Sequence, residues 1–155
     1  MNLVDLFPHD AIIVELTGDD VPAVFAQLCA PMAHTTGIAA DELQAALLER
    51  EALASTAVGH GIAIPHGVHP QLGRIVGALG RSRAGVSMGA PDGAPVHLFV
   101  ALMRSPDGSH AHLKALARVS GLLAHAPTRE ALVGAKDAAE IQVILRDGLD
   151  GQAGA

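Results

Sequence analysis

Two periods of apolar residues run along this chain, and the switches between them mark out its elements. Ala11-Ile12-Ile13-Val14-Glu15-Leu16 is β-branched and predicts a first strand. Thr17-Gly18-Asp19-Asp20 reads as a turn and helix start, with an Asp oxygen as N-cap and Pro22 in the first helical turn. Val24, Phe25, Leu28 and Met32 then recur at helical spacing, with Cys29 on the same side. Pro31 is expected to kink or end that helix, or to sit in a break before Gly37. A second helix is expected from about Ala40 to Ala54, with Leu43, Ala46, Leu47 and Leu53 facing the core and Glu42, Gln44, Glu49 and Glu51 in water.

Ile62-Ala63-Ile64 is a short apolar run that stops at Pro65-His66-Gly67. Arg74–Ser82 reads as a strand weakened by two glycines, and the stretch from Arg83 to Pro95 as loop. Val96–Met103 is apolar at nearly every position, as in a central strand covered on both faces, with His97 near its start and partly exposed. A turn at 105–109 leads into a helix from His110 to Ala124 with Leu113, Leu116, Ala117, Ser120 and Leu123 on one face. Thr128 is expected to cap a short helix through Val133. Asp137 with Glu140 makes a capping-box-like start for a last helix that buries Ile141, Ile144 and Leu145. The order predicts an α/β fold: a single layered domain over residues 1–147, its mixed β-sheet flanked by helices on both faces. Residues 148–155, glycine-rich and polar, read as a flexible C-terminal tail.

Composition narrows what such a domain does. Half of the 155 residues are apolar, yet there is no Trp or Tyr and only three Phe, so the core must be aliphatic. No apolar run approaches the roughly 20 residues of a membrane span, and Met1–Asp5 lacks the pattern of a secretory signal. One cysteine, Cys29, cannot form an internal disulfide, which fits a cytoplasmic setting, and its neighbours suggest a buried helix position. A formal charge of −6 with scattered Lys and Arg argues against nucleic acid as a partner. Arg74, Arg81 and Arg83 come nearest to a basic group and read as a solvated strand edge.

Nine histidines against ten Lys and Arg pose the chemical question. His60, His66 and His69 form one set, and His110, His112 and His125 another, but neither has HExxH spacing, and His110-Ala111-His112 points its two imidazoles apart. No GxSxG elbow, GxxxxGK[ST] loop or GxGxxG fingerprint is present, so neither a metal nor a nucleotide cofactor is expected. The simplest account of His66 is a surface histidine in an ordinary turn. The chemical one is nucleophilic histidine, because neutral imidazole offers a free nitrogen to phosphorus near cellular pH. A phosphorylated imidazole needs hydroxyls, backbone N–H groups and a guanidinium around it. Ser55, Thr56, the glycine-flanked turn and Arg50 would supply these, although Arg50 would equally serve as a plain salt-bridge partner. His112, at a helix start, is suited to sit across the site.

These residues also carry a resemblance. Arg50–Gly67, REALASTAVGHGIAIPHG, resembles the signature of the fructose/mannitol-type enzyme IIA domains of the bacterial phosphoenolpyruvate-dependent phosphotransferase system. The likeness continues in Gly93-Ala94-Pro95-Val96 before the apolar strand and in His112-Leu113 opening a helix. It implies a mixed sheet flanked by helices. It implies that His66 takes a phosphoryl group from an HPr-like phosphocarrier protein, that His112 assists its binding or transfer, and that Arg50 lies near it. Ala54 and Ala57 stand where glycines are usual around the Ser-Thr pair, and His97 is unusual in the strand after Pro95-Val96. A lone domain is most like the nitrogen-related regulatory branch, whose phosphorylation state acts on a target protein. The alternatives are a stand-alone sugar IIA that passes the group to a IIB cysteine, and a binding module with the fold but no phosphorylation. Which imidazole nitrogen reacts depends on which one the fold ties up in a hydrogen bond.

Overall fold

A computed structural model describes residues 3–153. Six strands, β1 (Ile12–Ile13), β2 (Ala57–Gly59), β3 (Ile62–Ala63), β4 (His66–Val68), β5 (Val76–Val86) and β6 (Val96–Arg104), form one mixed sheet. Its path is β1-β5-β6-β3-β2, with β4 also paired to β6. Helices α1 (Val21–Thr36) and α2 (Ala40–Leu53) cover one face, and α3 (Ser109–Ala124), α4 (Ala126–Gly134) and α5 (Ala138–Ala153) the other. The layered α/β architecture expected from the element order is therefore what the chain forms.

The sheet divides the core by alternation. On β6, Leu98, Val100 and Leu102 pack with α3, α4 and α5, while Phe99, Ala101 and Met103 pack with α1 and α2. Strands β3 and β4 run in line along β6, as the parallel pairs Ile62↔Leu98 and His66↔Leu102 show. Pairing along β6 therefore does not end where the apolar run does. The Pro65 carbonyl accepts from the Leu102 amide at 2.9 Å, and pairing resumes at His66. His66 is a strand residue at the C-terminal end of its central neighbour.

Several expectations need correcting. Pro31 lies inside α1, which continues to Thr36 and closes on Gly37 in the left-handed conformation (φ 75°). The two glycines expected to weaken β5, Gly77 and Gly80, are packing devices rather than weak points. A Cβ on Gly77 would sit 2.9 Å from the Phe7 ring, and one on Gly80 2.8 Å from Leu16. β5 itself extends to Val86, into the stretch read as loop. Arg81 is not on a solvated edge: it is 2 % exposed and hydrogen-bonds backbone carbonyls. Thr128 lies within α4, for which His125 is the N-cap. Asp20 and Asp137 do cap their helices, through the amides of Ala23 and Glu140. The expected tail is helical as far as Ala153, because Leu149 is fully buried in the α3–α5 core; residues 154–155 lie outside the described residues.

Cys29 occupies the buried helix position expected of it, and burial pushes its thiol up to about 12. The thiolate is the reactive form. Native protein should therefore resist iodoacetamide at pH 8 and become fully alkylated in denaturant; mass spectrometry showing rapid native alkylation would contradict this burial.

Candidate functional site

At the C-terminal ends of β4 and β6 the sheet opens into a cleft of about 510 Å³ between α2 and α3. His66, His112, Arg50, Arg104 and Glu49 line it, with Leu53, Val68 and Leu113 around them. Three of the residues singled out in the sequence thus meet, although 62 positions separate Arg50 from His112.

Gly67 explains how α2 reaches the site. A Cβ there would stand 3.1 Å from the Ala46 carbonyl oxygen and 3.2 Å from the Met103 sulfur. The glycine lets the α2 backbone press on β4, and Arg50, four residues after Ala46 on the same helix face, is carried to the cleft. Its Nη1 donates to the Ala54 carbonyl at 2.9 Å, which closes the C-terminal turn of α2 and anchors the guanidinium.

His66 is oriented by its own strand. Its Nδ1 lies 2.8 Å from the Ile64 carbonyl oxygen. A carbonyl only accepts, so Nδ1 carries the proton and donates it. Nε2 is left with its lone pair free. The His112 ring lies across from it, centroids 5.4 Å apart and planes tilted by 49°.

His112 is 5 % exposed, and its buried Nδ1 has no hydrogen-bond partner among the described residues. Burial first, then the neighbouring His66 on β4 and Arg104 on β6, lower its pKa to about 4. It is therefore a neutral imidazole at cellular pH. Its burial reflects a helix turned by about one residue from expectation. His112, Ala115, Val119, Leu122 and Leu123 face the core, whereas Leu113, expected inside, is 65 % exposed. Leu53, also expected inside, is 81 % exposed at the opposite wall of the cleft.

This has a consequence for stability. The unfolded chain takes up a proton on this imidazole near pH 6.5 and the folded one only near 4. Between those values the unfolded state holds more protons on this imidazole, so its contribution to stability falls as the pH drops and is constant on either side. Urea titrations should show a loss of up to about 3 kcal/mol across that window, and His112→Gln should remove that component. An unchanged pH profile in the variant would show that His112 titrates normally.

Ser55 and Thr56, candidates for phosphoryl support, do not line this cleft. The Ser55 hydroxyl donates to the Met88 carbonyl at 2.8 Å, and the Thr56 hydroxyl and amide both donate to the Glu51 carboxylate. They fasten the segment after α2 to the end of that helix and to the loop before β6. Arg104 is the residue the sequence reading missed. The available signal was an arginine closing an otherwise apolar strand. His97 is half-buried near the start of β6 and hydrogen-bonds the Ser82 carbonyl at 2.8 Å, at the far end of that strand from the cleft. Among the described residues no three His, Cys, Asp or Glu side chains are grouped as a metal ion would require, and no helix is long and apolar enough to cross a membrane.

Comparison with known proteins agrees with this fold. A nitrogen regulatory protein of Bradyrhizobium diazoefficiens is 38 % identical over 146 residues, covering 94 % of this chain and 95 % of the relative. A phosphotransferase-system fructose-specific EIIA component of Haloferax volcanii is 35 % identical over 102 residues, 66 % of each chain. Among solved structures, the nitrogen regulatory protein IIA-Ntr of Neisseria meningitidis superposes with a TM-score of 0.88 at 29 % identity, covering 92 % of this chain and 98 % of that one. The family model described as "Phosphoenolpyruvate-dependent sugar phosphotransferase system, EIIA 2" matches residues 5–148, and the chain belongs to that family.

Proposed function

We propose that this protein is a cytoplasmic phosphoryl carrier of the nitrogen-regulatory branch, phosphorylated on His66 Nε2 by an HPr-like phosphohistidine protein. The observation that carries this reading is the contact between His66 Nδ1 and the Ile64 carbonyl. It fixes one tautomer and leaves the other nitrogen as a nucleophile in the cleft. In the transfer, the N–P bond of the donor imidazole breaks and its electron pair returns to the donor nitrogen. The Nε2 lone pair of His66 forms the new bond, and the proton stays on Nδ1, donated to the Ile64 carbonyl. The donor ring, protonated on its other nitrogen, leaves as neutral imidazole, so no proton has to move during the transfer.

His112 assists as a neutral group. A bare lone pair is cheaper to bury than an N–H, so the partnerless Nδ1 is the unprotonated nitrogen and Nε2–H donates to a phosphoryl oxygen. Arg50 supplies charge from the α2 wall, held by its bond to Ala54. Leu53, Val68 and Leu113, exposed around the cleft, form an apolar rim on which the donor protein, and afterwards a target protein, can seat.

The regulatory branch is favoured because a nitrogen regulatory relative matches this chain almost from end to end. A stand-alone sugar IIA, passing its phosphoryl to a IIB cysteine, is the second reading, motivated by the fructose-specific relative. The test is to incubate the protein with phosphoenolpyruvate, enzyme I and an HPr-type carrier, and follow acid-labile phosphate. One phosphoryl group per chain is expected. No uptake would leave a binding module with this fold, and rapid onward transfer to a fructose-type IIB would favour the sugar reading.

A further inference from the structure

We infer that Arg104 is a second cationic ligand of the phosphoryl group on His66, facing it from β6 while Arg50 faces it from α2. The inference rests on the phosphoryl-carrier reading above and adds to it a group at the reacting centre that neither the signature Arg50–Gly67 nor the His112 motif contains.

The sheet register places Arg104 at the site. Parallel pairing sets His66 against Leu102 and Val68 against Arg104, so Arg104 lies one pleat beyond the residue paired with His66. Paired residues of a sheet share a face, and Leu102 faces the α3–α5 core. His66 and Arg104 therefore project toward α3, where His112 waits, and all three line the cleft. Arg104 also acts electrostatically on His112 as a nearby positive charge.

Its guanidinium is held ready. Nη1 donates to the Ser105 carbonyl at 3.1 Å and the Pro106 carbonyl at 3.3 Å. Among the described residues Nε and Nη2 have no acceptor. Arg50 has the same form: Nη1 is fixed on the Ala54 carbonyl and the rest of the fork is open. Two forks anchored on backbone oxygens lose little freedom when an anion arrives. No carboxylate cancels Arg104: Glu49 is the one acid among the cleft-lining residues, and it comes from α2, beside Arg50. A phosphoryl group arriving on Nε2 would meet one guanidinium on each side and a neutral imidazole N–H between them.

An alternative job for Arg104 is to read acidic residues on the partner protein, so the test needs a donor with no protein surface. Phosphoramidate is such a probe. Wild type, Arg104→Met and Arg104→Lys would each be loaded from phosphoramidate and, separately, from a phosphorylated HPr-type carrier. The half-life of the phosphohistidine would then be followed at neutral pH by 31P NMR. Arg104→Met should load about ten- to a hundredfold more slowly from both donors, the worth of one charge-assisted hydrogen bond, and lose its phosphoryl sooner. Arg104→Lys keeps the charge without the fork and should fall between. Circular dichroism shows whether each variant is folded. If Arg104→Met is not, the Lys variant decides: a wild-type rate and half-life there would overturn the inference. Slowing from the carrier alone would also overturn it, because Arg104 would then be reading the partner. Wild-type rates from both donors in a folded Arg104→Met would do the same while leaving His66 as the acceptor. A wild-type protein that takes no phosphoryl group from either donor would overturn the carrier reading and this inference together.

Discussion

His66→Ala protein, incubated with phosphoenolpyruvate, enzyme I and an HPr-type carrier, takes up no acid-labile phosphate, whereas the wild type takes one group per chain. The effect is expected to be complete because nothing else in the cleft can stand in. Arg50 and Arg104 are protonated and have no lone pair to offer. His112 is neutral, but it is 5 % exposed and one turn inside α3, so its ring cannot advance to the position His66 holds without unpacking the helix. The six histidines apart from His66, His112 and His69 lie elsewhere on the chain and line no part of this cleft. His69, three residues on, is occupied on both ring nitrogens, by Glu42 and by the Gln71 amide. The wild-type adduct should be the Nε2 phosphohistidine, which 31P–15N coupling in ring-labelled protein distinguishes from the Nδ1 isomer. Full labelling of His66→Ala, or an Nδ1 adduct in the wild type, would sink the assignment.

How much of this was legible in the chain depends on the distance over which each feature is determined. The capping aspartates Asp20 and Asp137 and the apolar run of β6 are set by residues a few positions apart. Sequence pattern captured them. The phase of α3 is different. Turning the helix by one residue exchanges Leu113 for His112, and the amphipathic pattern alone favours the leucine. What decides is the partner surface: Ala115, Val119 and Leu122 join the same core cluster as Ile64 and the β6 residues Val100 and Leu102, and His112 follows that stripe into the cleft. A helix-stripe argument has no means of knowing which surface the helix will meet. Ser55 and Thr56 were misplaced for a related reason. Their hydroxyls suit a phosphate as well as they suit Met88 and Glu51, and only the folded chain shows which acceptor is nearer. Arg104 went unseen because it enters the site through sheet register, a pairing between residues 36 positions apart.

Arg81 shows the same limit in a structural role, and its replacement should have the largest effect on stability. From within β5 its Nε donates to the Val14 carbonyl at 3.1 Å, and its Nη1 to the carbonyls of Leu132, Val133 and Ala135. The last three close the C-terminal end of α4, where carbonyls lack intrahelical donors and the helix dipole is negative. One buried cation thus joins β5, the segment after β1 and the end of α4. Burial lowers its pKa, then Arg83 does so, while Glu15 and Glu140 oppose both; a guanidinium still stays charged. Arg81→Met keeps most of the volume, and relief from desolvating a charge works in its favour. Against that stand several carbonyls left buried without donors, each costing about 1–3 kcal/mol. The second effect wins, because Leu132 is fully buried and Ala135 nearly so, and water cannot replace the fork there without opening α4. Arg81→Met should lose about 3–5 kcal/mol in urea unfolding, a large part of the usual 5–15 for a domain, and melt about 6–15 °C lower. Arg81→Lys should recover only part of that, since an ammonium cannot reach α4 and Val14 together. Arg81 pairs with Leu98, four residues back along β6 from the partner of His66, so the fraction that remains folded should still take up phosphoryl at the wild-type rate. A loss under about 1 kcal/mol would mean that α4 closes on water instead, and that the guanidinium is a passenger in the core.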